Sequence, residues 1–375
     1  MMTPRDRVKA VFDGETPDRL PCVDYYWSET IKEWTHQGLP CNTREELQYY
    51  FEHDYVYFYF DPRFGFPERL IDEDREYRTI YTVDGETLKV PLDESNTIRK
   101  SDVPGIPVSY TIRDRNTWET HKDKYAAAEW RLYSRFPVSG PWLGGNTCLD
   151  DVRHKYERAK AAGKFKCFVF RDPYEAVREF VGTDGMLSLM AEDPALVGDM
   201  FDRALQVAFG MIDLVGSLGM PMDGYWVWGD IAYSNGLFFS PAMYRELLMP
   251  RHRELFQRLG RYFIYHTDGS LRTSLPLLIE AGIQGINPIE IKAGNDFARI
   301  AEAYGDRIVL TGGIDVMVLA TNDLAKIERE AQAKLSAARG KKYIYHSDHS
   351  IPPTMTLDAY RFLMDLVHRW TFGGD

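Results

Sequence analysis

The chain has 375 residues, 44 % of them apolar, and a formal net charge of −11 at neutral pH. That length holds one large domain or two ordinary ones with an ample core, and the acidic balance, with no block of Lys or Arg against it, excludes a nucleic-acid face. No run of about 18 apolar residues exists to span a membrane, and the charged start Met1-Met2-Thr3-Pro4-Arg5-Asp6-Arg7 lacks the apolar stretch of a secretory signal.

In chain order, Thr3-Pro4 starts a helix that runs to about Phe12, and an apolar run follows from Cys22 to Trp27. Thr79 to Val90 reads as a hairpin turned by Asp84-Gly85, and the proline-bearing stretch Pro91 to Pro107 reads as a surface loop. Residues 1–110 are expected to supply the first strands together with appended helices and the hairpin, in a single domain spanning 1–375. Cys22, Cys41, Cys148 and Cys167 show no C-x-x-C spacing, so neither a zinc ribbon nor a redox motif is indicated. Reduced thiols in a cytoplasmic protein are the expectation.

From about residue 148 the pattern is regular. Lys166–Phe170 reads as a strand, and Asp193-Pro194 as an N-cap with proline at the first helical position. Leu196, Met200, Ala204, Ala208 and Ile212 then recur every four residues along a long buried-face helix. Gly224–Trp228 is the next strand, and Ser240-Pro241 opens another helix by the same device. Strands at 262–265, 285–289, 307–310 and 342–345 alternate with helices at 271–281, 296–304, 322–338 and 357–370. Alternation of this kind implies parallel strands joined by right-handed crossovers. So many units fit an α/β fold closed into a (β/α)8 barrel, with residues 1–110 forming an extension or lid. No G-x-G-x-x-G follows an early strand, which argues against dinucleotide binding. G-x-S-x-G and P-loop motifs are absent too.

The chemistry-bearing residues collect at predicted strand ends. Ile264-Tyr265-His266-Thr267-Asp268-Gly269-Ser270 recurs as Ile344-Tyr345-His346-Ser347-Asp348-His349-Ser350. Residues two apart on an extended segment share a side, so each copy aims an imidazole and a carboxylate at one spot. Glu290 lies between the copies. His266, Asp268, Glu290 and His349, with His346 and Asp348 as further candidates, are the donor types that suit zinc and other divalent first-row metals. Capping and strand-end hydrogen bonding are the structural alternative for each. Asp230, directly after Tyr225-Trp226-Val227-Trp228-Gly229, is placed to bind a substrate hydroxyl or accept a proton. Trp228, Tyr233 and Asn235 are expected to line a pocket beside it. Arg171 could pair with an anionic substrate group, and the Gly312-Gly313-Ile314-Asp315 turn could approach an anion, with Asp315 a substrate-binding candidate. A salt bridge for Arg171 and an ordinary tight turn at 312–315 are the alternatives.

As a set, TPRDRVKAVFDGETPDRLPCV, AEDPALV, GDIAYSNGLFFSPAMYRELLMPRHREL, YHTDGSLRTSLPLLIEAGIQGINPIEIKAG, LTGGIDVMVLA and HSDHSIPPTMTLDAY resemble the uroporphyrinogen decarboxylase superfamily, most tightly over residues 223–360. The resemblance implies a (β/α)8 barrel with its site at the strand C-termini. Uroporphyrinogen decarboxylases carry an arginine-rich motif near the first strand, where this chain has Tyr25-Tyr26-Trp27-Ser28-Glu29-Thr30. It is thus more similar to the corrinoid-dependent methyltransferase branch. There, zinc is held by H-x-C and a later cysteine; His266-Thr267-Asp268 stands in the first place and His349 in the second, with Glu290 where related members have an acidic ligand. The resemblance therefore implies a thiolate-free zinc site in a methyltransferase. It would pass a methyl group from a small O- or N-methyl compound, an aromatic methyl ether being favoured by the many aromatics, to a corrinoid protein. It also implies homodimers. A decarboxylase or lyase acting on a small acid, and a non-catalytic small-molecule binding protein, are the rival expectations.

Overall fold

The computed structural model describes residues 2–60, 62–92, 105–128 and 149–372. Seven parallel strands form one curled sheet in the order Tyr55–Tyr59, Phe165–Arg171, Gly224–Trp228, Phe263–His266, Gly285–Asn287, Val309–Thr311 and Tyr343–Ile344. Each strand but the last is followed by helix before the next, which confirms the α/β barrel. The helices start where sequence chemistry puts them. Thr3, Asp172, Asp193 and Ser240 each cap a helix whose first residue is proline, a pairing that satisfies one orphan amide and removes another.

The eighth position of the barrel is occupied by the apolar run after Pro21. It is not a full strand: only Cys22↔Tyr345 and Tyr26↔Ile351 are bridged, both in parallel. Its inner edge is pinned to the last strand by Val23 N–H to the Tyr345 carbonyl (3.0 Å) and Tyr345 N–H to the Pro21 carbonyl (2.9 Å). Its other edge meets the strand Tyr55–Tyr59 at the bottom alone. There Asp54 N–H donates to the Cys22 carbonyl (2.8 Å), and the Asp54 side chain accepts from Cys22 N–H (2.8 Å). Above this point no backbone pairing between these two segments occurs among the described residues.

Asp54 is fully buried and also binds Arg7 (2.6 Å) and Arg19 (3.0 Å). One carboxylate thus closes the barrel base and ties the N-terminal helix to it.

Two features differ from the sequence reading. The hairpin at 79–90 is the middle of a four-stranded antiparallel sheet, Arg69–Glu73, Tyr77–Tyr81, Glu86–Pro91 and Ile106–Tyr110. The strand Arg69–Glu73 is exposed at every position, so it carries no alternation to read. The stretch expected as a loop to Pro107 lies mostly outside the described residues, but its end is that last strand. The helix from Pro241 contains a π turn at Tyr244–Leu248, just before Pro250, which has no N–H to give the preceding turn. No helix among the described residues is long and apolar enough to cross a membrane. Cys22, Cys41 and Cys167 are unpaired; Cys148 lies outside the described residues.

Asp54→Ala would leave the buried Arg7 guanidinium with only Asp18 of its two carboxylates, and would take from Arg19 and the Cys22 N–H their shared acceptor. A loss of about 3–5 kcal/mol in denaturant unfolding is expected, and a loss below about 1 kcal/mol would contradict this role for the carboxylate.

Candidate metal centre in an aromatic cavity

Strand register decides what meets at the top of the barrel. His266 is paired with Trp228 on one side and Asn287 on the other, so these three residues form one layer. The ladder continues one residue further, with Gly229 N–H to the His266 carbonyl (2.9 Å) and Thr267 N–H to the Asn287 carbonyl (2.8 Å). Two residues beyond the layer, Asp230 and Asp268 emerge on the same side as Trp228 and His266.

One donor atom each from Asp230, His266 and Asp268 lies within 4.8 Å of the others. His266 Nε2 is 3.7 Å from Asp230 Oδ1 and 3.8 Å from Asp268 Oδ1. These separations exceed a hydrogen bond and leave room for a group between them. His349 Nε2 is 4.0 Å from Asp268 Oδ2, and its ring stacks on Trp27 at 5.7 Å.

His266 and Asp230 are held by partners behind them. His266 Nδ1–H donates to Asn287 Oδ1 at 2.6 Å, which turns the Nε2 lone pair toward the carboxylates. Asp230 accepts from Trp228 Nε1–H (3.2 Å) and Asp268 N–H (3.1 Å), with Arg178 at 3.8 Å. Gly229 precedes it because a Cβ there would come within 2.2 Å of the Tyr265 hydroxyl and 2.3 Å of Asp172. Beneath lies a buried network. Tyr265 donates to both Asp172 (2.7 Å) and the Gly229 carbonyl (2.9 Å), and His252 bridges Asp172 (2.8 Å) and Tyr244 (2.9 Å). Gly269, at φ 92°, lets the chain turn against the Tyr233 backbone.

Burial, and next the facing Asp230, push the Asp268 carboxyl up to about 7. Burial, and next Lys292, hold His349 down to about 4, and burial lowers His346 as well. Two carboxyl groups crowded on an imidazole nitrogen form a hole for a cation. The set of imidazole nitrogen and carboxylate oxygen suits zinc or another divalent first-row ion, so the residues present fit a metal.

The cavity around them has a volume of ≈ 220 Å³. Trp27, Trp226, Trp228, Tyr25, Tyr57 and Tyr59 form most of its wall, with Asn287, Pro288 and His346 closing the rest. No Arg or Lys is among the described residues that line it.

Sequence-predicted residues divide into those the fold gathers and those it does not. Asp230, His266, Asp268, His349, Trp228 and His346 reach the cavity. Glu290 is buried beside it but engaged: Oε2 accepts from Gly269 N–H (2.6 Å) and Oε1 pairs with Lys292 (3.1 Å). Asp348 is fully buried and clasps Ile291 N–H (2.9 Å) and Val316 N–H (2.8 Å). Asp315 caps the following helix turn by accepting from Met317 N–H (2.8 Å). Arg171 faces Glu179 at 3.5 Å. Tyr233 stacks on Phe238, and both it and Asn235 are exposed on the hairpin after Asp230. Arg171, Asp315, Tyr233 and Asn235 are thus away from the cavity wall. Asn287, Trp27 and Tyr25 were not foreseen as site residues. Asn287 ends the observed strand Gly285–Asn287 but falls in the middle of the strand expected at 285–289, so its position gives no signal.

The model of the uroporphyrinogen decarboxylase (URO-D) family matches residues 178–370. The chain belongs to that family. Uroporphyrinogen decarboxylases of Streptomyces avermitilis and Streptomyces coelicolor are each 28 % identical over 190 residues. Those matches take in 49 % of this chain and span about half the length of the relatives, 50 %. A solved methyltransferase from Methanosarcina mazei matches with a TM-score of 0.67 at 15 % identity, over 98 % of both chains. At that identity the likeness is one of fold.

Asn287→Asp keeps the acceptor for His266, whereas Asn287→Leu removes it. Zinc affinity measured by competition with a chromogenic chelator should stay within a few-fold in the first and fall by about 10–100-fold in the second. Equal affinities in both variants would show that the hydrogen bond does not orient the imidazole.

Proposed function

We propose that this chain is a zinc-dependent methyltransferase that removes a methyl group from a small methyl ether, an aromatic one above all, and delivers it to a corrinoid protein. The observation that carries this reading is the thiolate-free cluster of Asp230, His266 and Asp268 in a small aromatic cavity. In this reading those three residues hold the metal and His349 is the fourth donor. Glu290 orients the turn at 268–269 through Gly269 rather than acting as a ligand. A bound zinc would supply Lewis acidity at an ether oxygen.

The remaining work falls to the wall. Trp27, Trp226 and Trp228 stack on and orient a flat ring. The Asn287 side-chain amide nitrogen has no partner among the described residues, and it donates to the oxygen that gains negative charge as its bond to the methyl carbon breaks. The aromatic wall excludes water, so the methyl group is not lost to hydrolysis.

Two features weigh against decarboxylation of a tetrapyrrole with many carboxylates. A cavity of ≈ 220 Å³ is below the about 300–1,000 Å³ of sites for drug-sized ligands. Its described wall also offers no guanidinium or ammonium to pair with carboxylates.

The test is methyl transfer from a panel of methoxylated aromatics to cob(I)alamin, followed by the appearance of the methylcobalamin spectrum. Turnover should require zinc, fall to background after chelation, return when zinc is restored, and be lost in His266→Ala. Undiminished turnover in the chelated protein would refute the metal-dependent reading. Release of carbon dioxide from a small acid with no corrinoid present would favour a decarboxylase in its place.

A further inference from the structure

Beside the central cavity lies a larger one, ≈ 800 Å³, where the barrel wall is incomplete. Asp24, Tyr25 and Tyr26 from the first-strand segment line one side, and Tyr57 and Tyr59 from the neighbouring strand line the other. This is the gap left above the Asp54–Cys22 closure, where the two segments no longer pair. The helices Ser28–His36, Arg44–Tyr50 and Leu149–Ala161 supply its outer wall.

Tyr25, Tyr57 and Tyr59 line both cavities. They form a partition one side chain thick, and the Tyr59 hydroxyl hydrogen-bonds Tyr25 across it. A methoxylated ring fits the central cavity, but anything longer must extend past these tyrosines into the crevice.

The crevice differs from the central cavity in its charge. Lys155 is drawn into it with Glu45 at 4.0 Å, the outer limit of an ion pair, and Glu45 is approached more closely by Arg158 (3.3 Å). Arg44 stacks on the crevice side group Tyr25 at 4.9 Å. Of the other carboxylates on the wall, Asp24 is fully buried and already accepts from Tyr345 (3.0 Å), Tyr360 (3.0 Å) and Ser347, and Asp151 is exposed at the rim. Burial also lowers the affinity of Lys155 for its proton, as for an ammonium without a close counter-charge. Gln48, 6 % exposed, adds a buried carbonyl oxygen with no partner among the described residues.

We propose that this crevice is a second subsite, which binds the carboxylate-bearing tail of an extended aromatic substrate through Lys155 while the methyl-bearing end lies against Asp230, His266 and Asp268. The proposal rests on the methyl-transfer reading for the identity of the inner end. It implies that the donor enters and is held from the side of the barrel, leaving the mouth above the metal donors to the methyl acceptor.

Binding can be tested without turnover, using the full chain and 4-phenylbutanoate, which has no methyl group to give, beside the neutral 4-phenylbutan-1-ol. By titration calorimetry the carboxylate should bind about tenfold or more tightly than the alcohol, a difference typical of a charge-assisted hydrogen bond. Lys155→Met should remove that difference and leave the alcohol's affinity within about twofold, and Lys155→Arg should retain it. Equal binding of the two probes, no binding of either, or a preference that survives Lys155→Met would overturn the proposal. A Lys155-dependent preference in a protein that transfers no methyl group would uphold the subsite and refute the methyl-transfer reading alone.

Discussion

Everything at the top of this barrel depends on two carboxylates held against one imidazole where the surrounding wall is aromatic. Asp230 and Asp268 both lie within 4 Å of His266 Nε2, at 3.7 and 3.8 Å, yet neither makes a hydrogen bond to it. Like charges at close range are costly; burial, and next the facing Asp230, raise the Asp268 carboxyl to about 7. A divalent cation relieves that cost, and so does a proton on one of the two carboxylates. The architecture beneath, Asp172 with Tyr265, His252 and Tyr244, holds the Gly229 turn that precedes Asp230.

The two cavities differ in the charge of their walls. A cation bound by Asp230, His266 and Asp268 offsets their charge, so an uncharged ether and ring suit the inner chamber. An anionic group placed there would meet no ammonium or guanidinium among the described lining residues. The crevice supplies one in Lys155. Its existence follows from barrel closure: the Asp54 side chain replaces a backbone partner for Cys22 N–H, and the first-strand segment then follows the last strand instead of its neighbour on the other side.

Much of this was legible in the sequence because the governing rules are local. Strand–helix alternation gave the barrel, Asp193-Pro194 and Ser240-Pro241 marked helix starts, and the two-residue period put His266 and Asp268 on one side. What was not legible depends on register between distant segments. Asn287 orients His266 from 21 positions away, and no pattern within either strand reveals that pairing. Glu290 and Asp348 have the spacing of ligands, but free backbone amides at Gly269, Ile291 and Val316 claim their oxygens. Spacing shows which residues can reach a point, not which hydrogen bonds compete for them. Asp315 and Arg171 were drawn away in the same manner, by a helix N-terminus and by Glu179.

In the proposed site oxygen and nitrogen donors, not sulfur, hold the metal. X-ray absorption at the zinc edge of the zinc-loaded protein tests it most directly. The account predicts a first shell of nitrogen and oxygen at about 2.0–2.2 Å with imidazole scattering beyond it, and loss of bound zinc in Asp230→Ala. A sulfur shell at about 2.3 Å, or zinc retained unchanged when Asp230 is removed, would contradict it.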